Sequence, residues 1–156
     1  MAESKYGKYI ITKYLTDEEK VARGRSPAEQ RKPGVPFSNG LLWLDEKIIP
    51  GAFYMELVMM EPGNISTGVS VKPHTHEFDE ILGFVGTSLQ NPHDLNGEVE
   101  LWLGDEKHLL TQSCLVYVPA RLKHGPLIFN KVTTPIVHFS VMTGKQYLWK
   151  FTEPTT

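Results

Sequence analysis

Short apolar runs separated by turn residues make up the chain between residues 40 and 142. Side chains on a β-strand alternate between its two faces, and two of these runs show that period clearly. Phe53, Met55, Leu57 and Met59 share one face of a predicted strand over 52–60, and residues 98–103 alternate in the same way. Short strands with closely spaced turns predict an all-β sandwich or barrel. The predicted strands are 41–49, 52–60, 69–76, 80–85, 98–103, 107–110, 114–118, 125–129 and 135–142.

The residues before this region have a different character. Residues 6–12 predict a short strand or an arm that packs on another subunit. Residues 16–30 predict a short surface helix, because Thr16 and Glu19 have the spacing of a capping box. Two prolines and a glycine predict a loop over 31–39. We therefore divide the chain into an N-terminal arm and helix over 1–48 that pack on the barrel, a barrel over 49–150 and a tail over 151–156.

Composition and charge exclude several classes of protein. The chain has 156 residues, of which 40% are hydrophobic and 22% charged, as expected for one globular domain. A net charge of -2, without a run of Lys and Arg, argues against a nucleic-acid or membrane-surface binder. The single Cys114 excludes an intrachain disulfide and a multi-cysteine zinc site, and its apolar neighbours favour a structural thiol. Without a signal peptide or an apolar run of about 18 residues, we expect a cytoplasmic protein.

Residues 68–86 contain the first candidate for chemistry. His74 and His76 are two residues apart, so on a strand they point the same way. A turn over 77–79 followed by a second strand would bring Glu80 back to face the two imidazoles. Two neutral imidazoles and one carboxylate suit a first-row divalent metal. The simpler alternative for an isolated pair of histidines is a solvated edge strand.

A second histidine motif lies some forty residues downstream, where Pro119 leads a turn that ends at His124. Together the two motifs give the chain a resemblance to the cupins, a superfamily of small β-barrels of the double-stranded β-helix type. The first cupin motif is matched in type and spacing by Gly68, His74, His76 and Glu80, and its closing glycine is one residue early, at Gly86.

The second cupin motif is matched less completely. Pro119 and His124 agree in type and spacing, but Ser113, Arg121 and Ile128 stand where that motif has two glycines and an asparagine. Arg121 in place of a glycine implies either that the turn needs no positive φ or that it tolerates one at some cost. The resemblance covers residues 50–142.

The resemblance implies an all-β jelly-roll barrel with one divalent transition metal (Fe, Mn, Zn or Ni) held inside it. Its ligands would be His74, His76, Glu80 and His124. It further implies an enzyme that binds a small dicarbonyl, enol or carboxylate substrate directly to the metal. The reaction would be dioxygenase-type carbon–carbon cleavage or non-redox lyase, hydrolase or isomerase chemistry, with Glu80 as an alternative general base. A non-catalytic module that binds a small ligand is the second hypothesis.

Other residues are weaker candidates. Tyr54, Phe84, Arg121 and His138 could contact the substrate, although core packing or solvent exposure accounts for each of them equally simply. His93 and His108 are predicted to be solvated. Small cupins commonly form dimers, so we expect a homodimer in which residues 6–12 or 40–49 add a strand to a neighbour's sheet.

Overall fold

Twelve short strands account for most of the computed structural model, which describes residues 5–22, 38–64, 69–144 and 150–151. They are β1 (Ser38–Leu44), β2 (Tyr54–Met60), β3 (Gly63–Asn64), β4 (Val69–Val71), β5 (His74–Thr75), β6 (Glu80–Gly86), β7 (Asp94–Leu103), β8 (Glu106–Gln112), β9 (Cys114–Val118), β10 (His124–Val132), β11 (Ile136–Met142) and β12 (Lys150–Phe151). The prediction of an all-β fold is confirmed.

The strands form two antiparallel sheets. The first has the order β1-β2-β11-β6-β9, and the second has the order β12-β5-β10-β7-β8, with β3 and β4 also pairing with β10. One apolar core lies between them, because buried side chains of both sheets pack in the same cluster. Val58, Leu82 and Phe84 come from the first sheet, and Val99 and Phe129 come from the second.

The segments before β2 differ in part from their prediction. Residues 6–12 contain a 3₁₀ turn, Gly7–Tyr9, and no strand. The helix α1 (Asp17–Val21) begins with the predicted capping box between Thr16 and Glu19. Residues 23–37 lie outside the described part of the chain, whereas 38–39, predicted as loop, belong to β1. No helix in the described ranges is long and apolar enough to cross a membrane.

β1 is part of the first sheet, since it pairs with β2 from Ser38 to Leu44. The residue after β1 is Asp45, a buried carboxylate that accepts hydrogen bonds from the Trp43 indole and from two backbone amides of the following turn. Trp43 belongs to a second, smaller apolar cluster with Tyr54 and Met142. The division of the chain at residue 48 stays a prediction, as does the division at residue 150.

The structure shows which face of β2 points inward. Tyr54, Val58 and Met60 are buried in the interior, and the half-buried Glu56 shares their face. Met55, Leu57 and Met59, which share one face of the predicted strand, lie on the outside of the first sheet. Alternation alone favours the opposite orientation, because the outer face of β2 is entirely apolar whereas its inner face carries Glu56.

Candidate metal centre

The four predicted ligands come together where β5, β6 and β10 begin or end. His74 lies in β5 and is the direct cross-strand partner of His124, the first residue of β10. His76 follows β5, and Glu80 opens β6 after a turn. All four side chains are almost completely buried, with 2 to 4% of their surface exposed.

The ligand atoms of these four residues converge on one point. One atom from each of them lies within 4.8 Å of the others. The Nε2 atoms of His76 and His124 are both 3.1 Å from Glu80 Oε2. The imidazole centroid of His124 lies 4.1 Å from that of His74 and 4.8 Å from that of His76.

Backbone carbonyls orient the three imidazoles. Each Nδ1 faces a carbonyl two residues away in the sequence. His74 is 2.8 Å from the Lys72 oxygen, His76 is 2.6 Å from that of Phe78, and His124 is 2.9 Å from that of Leu122. A carbonyl can only accept, so Nδ1 donates, and Nε2 of each neutral ring carries a lone pair.

With all three imidazoles neutral, this arrangement is unfavourable unless a metal ion is bound. Three Nε2 lone pairs and one carboxylate are buried together, and all of them are acceptors when the rings are neutral. Within the described residues, Nε2 of His124 makes no hydrogen bond. Two ligands about 2.1 Å from one ion at right angles lie about 3.0 Å apart, which agrees with the 3.1 Å spacing here. The group formed by His74, His76, Glu80 and His124 suits a single metal ion.

Ser140 was not among the predicted site residues, although the structure places it against the ligand carboxylate. It is buried on β11 and donates its hydroxyl to Glu80 Oε1. Only Oε2 is then turned toward the imidazoles. The alternation of β11 placed Ser140 on one face with His138, but the pairing of β11 with β6 is not visible in the sequence.

The pKa values agree with an ionised Glu80 and a neutral His74. Burial by itself would raise the pKa of Glu80, but contacts with His124, His76 and Ser140 outweigh it and lower the pKa to about 2. Burial lowers the pKa of His74 to about 4. Burial would also lower the pKa of His76, but the hydrogen bond and charge of Glu80 raise it above its usual value.

Two neighbouring residues support the ligands by close packing. The Phe78 ring stacks on His76, with centroids 4.8 Å apart and planes 8° from parallel. Gly125, which follows His124, has a φ of +86°, and a Cβ on it would lie 3.0 Å from the Lys72 oxygen that orients His74. The sequence offered no signal for either contact beyond the nearness of both residues to a ligand.

Comparison with solved structures identifies the fold. Oxalate oxidase in complex with the substrate analogue glycolate is 18% identical, with a TM-score of 0.51 over 81% of this chain and 62% of the other. A recombinant oxalate oxidase in complex with glycolate is 18% identical, with a TM-score of 0.50 over 78% of this chain and 57% of the other. A cupin 2 domain-containing protein from Halorhodospira halophila is 14% identical, with a TM-score of 0.49 over 80% of this chain and 74% of the other. The chain has the cupin fold.

The likeness to these cupins concerns the fold. The chain spans about three-fifths of the length of the oxalate oxidase chains that it matches. No protein-family model matches the sequence, and no curated protein matches it at a significant level. The cupin resemblance predicted from the two histidine motifs is nevertheless confirmed in three dimensions.

The turn at Arg121 has a positive φ, the second of the two alternatives that the sequence left open. Its φ is +68°, so the turn takes the left-handed conformation that favours glycine. Its backbone amide donates to the His76 carbonyl at 2.8 Å, while its exposed guanidinium pairs with Glu77 at 2.8 Å. The side chain thus lies at the surface beside the site, and its contact with a substrate stays a prediction.

Tyr54, Phe84 and His138 line the inside of the cupin barrel. Tyr54 is fully buried and donates to Glu56 at 2.7 Å. Phe84 stacks on His138, whose Nδ1 donates to the Gly83 carbonyl at 2.9 Å. Phe84 is four residues from Glu80 on β6, roughly 13 Å along the strand. A substrate that touched both the ligands and this pair would need that length, so the role of these residues stays a prediction.

The remaining predicted residues lie away from the centre. His93 is exposed, and His108 is 3.7 Å from the Glu106 carboxylate in the β7–β8 hairpin. Cys114 is half-buried on β9, where burial raises the pKa of its thiol. A raised pKa leaves less thiolate at neutral pH, in agreement with a structural rather than a nucleophilic cysteine.

Proposed function

We propose that this chain is a metal-dependent cupin enzyme whose small oxygenated substrate binds directly to one divalent transition metal. The observation that carries the proposal is the buried set of three Nε2 lone pairs and one carboxylate oxygen that face one another. His74, His76, His124 and Glu80 Oε2 would hold the ion. Bound there, the ion would act as a Lewis acid toward a dicarbonyl, enol or carboxylate, or would support oxygen chemistry if it were iron.

The residues of the chain keep the site ready for such a substrate. The carbonyls of Lys72, Phe78 and Leu122 fix the imidazole rings, and Ser140 occupies Oε1 of Glu80. A carboxylate with one oxygen so engaged offers the metal a single oxygen, which leaves more of the ion's surface for the substrate.

We assign Glu80 the role of ligand rather than general base. A base works best when its pKa lies near the working pH, whereas contacts with its three neighbours lower the pKa of Glu80 to about 2. The carboxylate is therefore ionised throughout the neutral range and is a weak proton acceptor. This favours coordination, which needs the ionised form.

Metal analysis of purified protein tests the proposal. We expect close to one transition metal per chain, and at least a tenfold loss in His124→Ala, with no change in His93→Ala, which removes an exposed histidine. Oxygen consumption and product analysis with β-dicarbonyls, oxalate and glycolate then separate oxygen-dependent from non-redox chemistry.

Two results would contradict the proposal. Metal content far below one per chain, equal in wild type and His124→Ala, would remove the metal centre. Stoichiometric metal with tight binding of a small carboxylate and no turnover of any substrate would instead assign the chain to the non-catalytic, ligand-binding class.

A further inference from the structure

The inner face of the first sheet is polar beside the metal centre. Glu56 on β2 and Ser140 on β11 are direct cross-strand partners, and His138 lies two residues before Ser140 on the same face. We call these three residues the polar wall. The inner face of a sheet is ordinarily its apolar face, and departures from that pattern are expected at functional sites.

The polar wall begins at a ligand of the metal centre. Ser140 donates its hydroxyl to Glu80 Oε1. Cross-strand partners have Cβ atoms about 5 Å apart, so Glu56 is one step further along the wall than Ser140. A small molecule that is held at the ligands and extends over Ser140 therefore approaches Glu56.

Neighbouring aromatic residues hold the Glu56 carboxylate in place. The hydroxyl of the fully buried Tyr54 donates to its Oε2 at 2.7 Å. Trp43, buried on β1, is the partner of Glu56 across the other edge of β2. Glu56 is nevertheless only half-buried, whereas the four ligands are 2 to 4% exposed. The carboxylate is thus oriented and still within reach of a molecule that enters from solvent.

A carboxylate at this position recognises hydrogen-bond donors. It offers only acceptors, and its hydrogen bonds with a hydroxyl or an ammonium group are of the strong, charge-assisted kind. A second acceptor lies on the same wall, because His138 Nδ1 donates to the Gly83 carbonyl, which makes Nε2 of the neutral ring an acceptor. An anionic group beside Glu56 would instead meet a like charge, which is unfavourable.

We propose that Glu56 selects substrates that carry a hydroxyl or ammonium group in addition to the carboxylate or carbonyl that binds the metal. The anionic end of such a molecule lies at the ligands, and Glu56 accepts a hydrogen bond from the other end. This inference rests on the proposed function, because it needs a metal at the four ligands. It applies to a ligand-binding module as well as to an enzyme.

Glu100 provides a matched control on the other sheet. It is a half-buried glutamate on β7 that accepts a hydrogen bond from Trp102, two residues along the same strand, at 2.9 Å. Glu56 has the same relation to Tyr54. Glu100 lies on the outer face, because the next residue, Leu101, is buried in the core. Glu100→Gln therefore makes the same change of charge away from the metal centre.

Titration calorimetry on protein with one metal per chain tests the selection with β-alanine, 3-hydroxypropionate, malonate and propionate. Each of these three-carbon acids has one carboxylate for the metal, and the other end is an ammonium, a hydroxyl, a carboxylate or a methyl group, respectively. We expect Glu56→Gln to raise the dissociation constant of β-alanine about tenfold or more, and that of 3-hydroxypropionate by a smaller factor. It should lower that of malonate and leave that of propionate unchanged. Glu100→Gln should change none of them.

Metal content and circular dichroism show whether each variant is folded. If Glu56→Gln does not fold, Glu56→Asp repeats the test with the carboxylate drawn back by one methylene group, and it should weaken the binding of β-alanine and 3-hydroxypropionate. Whichever of these two acids wild type binds more tightly distinguishes an ammonium from a hydroxyl substrate.

Two results would overturn the proposal. One is a metal-loaded wild type that binds neither β-alanine nor 3-hydroxypropionate more tightly than propionate. The other is an equal change in the dissociation constants of all the acids in Glu56→Gln. A chain without metal would already fail the metal analysis, so failure of the proposed function is recognised before any acid is added.

Discussion

Ser140 shows how a single hydroxyl determines what a ligand carboxylate can do. It donates to Glu80 Oε1, while Oε2 lies 3.1 Å from the Nε2 atoms of two imidazoles. Without this hydroxyl, the carboxylate of Glu80 can turn about its last bond and present either oxygen, or both. Groups that hold metal ligands in place commonly change metal affinity by about 10- to 100-fold when they are removed.

We therefore predict that Ser140→Ala lowers metal affinity about 10- to 100-fold while the protein stays folded. Chelator competition measures the affinity, and thermal unfolding of the metal-free protein measures stability. Ser113→Ala is the matched control, because that hydroxyl is hydrogen-bonded as well, to the Gly86 amide and the Pro92 carbonyl, away from the centre. Equal metal affinity in Ser140→Ala and Ser113→Ala would contradict the positioning role.

The contrast between Ser140 and the four ligands shows what the sequence could predict at this scale. His74, His76 and Glu80 are close in sequence, so strand alternation and one turn sufficed to bring them together. His124 could be added because the spacing of its motif resembles the cupins. Ser140 is 60 residues from Glu80, and its contact depends on a strand pairing that no local pattern encodes.

Between elements, the metal centre depends on how closely β10 approaches the link from β4 to β5. Gly125 at the start of β10 has a positive φ, and a Cβ there would meet the Lys72 carbonyl at 3.0 Å. That carbonyl accepts from His74 Nδ1. The absence of a side chain at Gly125 therefore allows the two elements to pack while His74 keeps its orientation.

Gly125→Ala should lower both stability and metal affinity. The positive φ costs an alanine roughly 1–2 kcal/mol, and the added methyl group displaces the carbonyl that orients His74. Gly51→Ala is a close control, since Gly51 has a φ of +85° and no atom lies within 4 Å of the position that its Cβ would take. Gly51→Ala should lose stability but keep its metal affinity. Urea unfolding and chelator competition separate the two effects, and unchanged metal affinity in Gly125→Ala would contradict this account.

The strands themselves were largely predictable, whereas their faces were not. Alternation and turn residues located β6, β9 and β11 within a residue or two. The inner faces of β2 and β11 carry polar residues, Glu56, His138 and Ser140, whereas their outer faces are apolar. Alternation alone therefore favours the wrong parity of residues as the inner one.

At the scale of the whole molecule, the first sheet separates two environments. Glu80 and Ser140 project from its inner face toward the metal centre, and Leu115 and Tyr117 project from its outer face. Substitutions of Leu115 and Tyr117 can therefore be made without touching a ligand. Metal binding, in contrast, should stabilise the entire fold, because β5, β6 and β10 would contribute ligands from both sheets.

Acid should weaken this stabilisation by metal. Bound metal requires neutral imidazoles, and Glu80 raises the pKa of His76 above its usual value, so protons compete with metal for His76 as the pH falls through that pKa. Burial holds the pKa of His74 at about 4. His74 therefore stays neutral in the metal-free protein from pH 8 down to pH 5, and its protons do not compete with metal in that range.

In the metal-free protein, the contribution of His76 to stability changes with pH in the opposite direction. The charged pair of His76 with Glu80 contributes stability below the ordinary pKa of His76, and this contribution is lost as the pH rises through the raised pKa. The difference in stability between metal-bound and metal-free protein should thus be largest near pH 8. Toward pH 5 it should shrink by about 1.4 kcal/mol per pH unit for each competing proton. Calorimetric unfolding with excess metal or with EDTA measures this difference in stability. His76→Ala should show little difference between the two conditions at any pH. An equal difference for wild type at pH 8 and pH 5 would refute the competition between protons and metal.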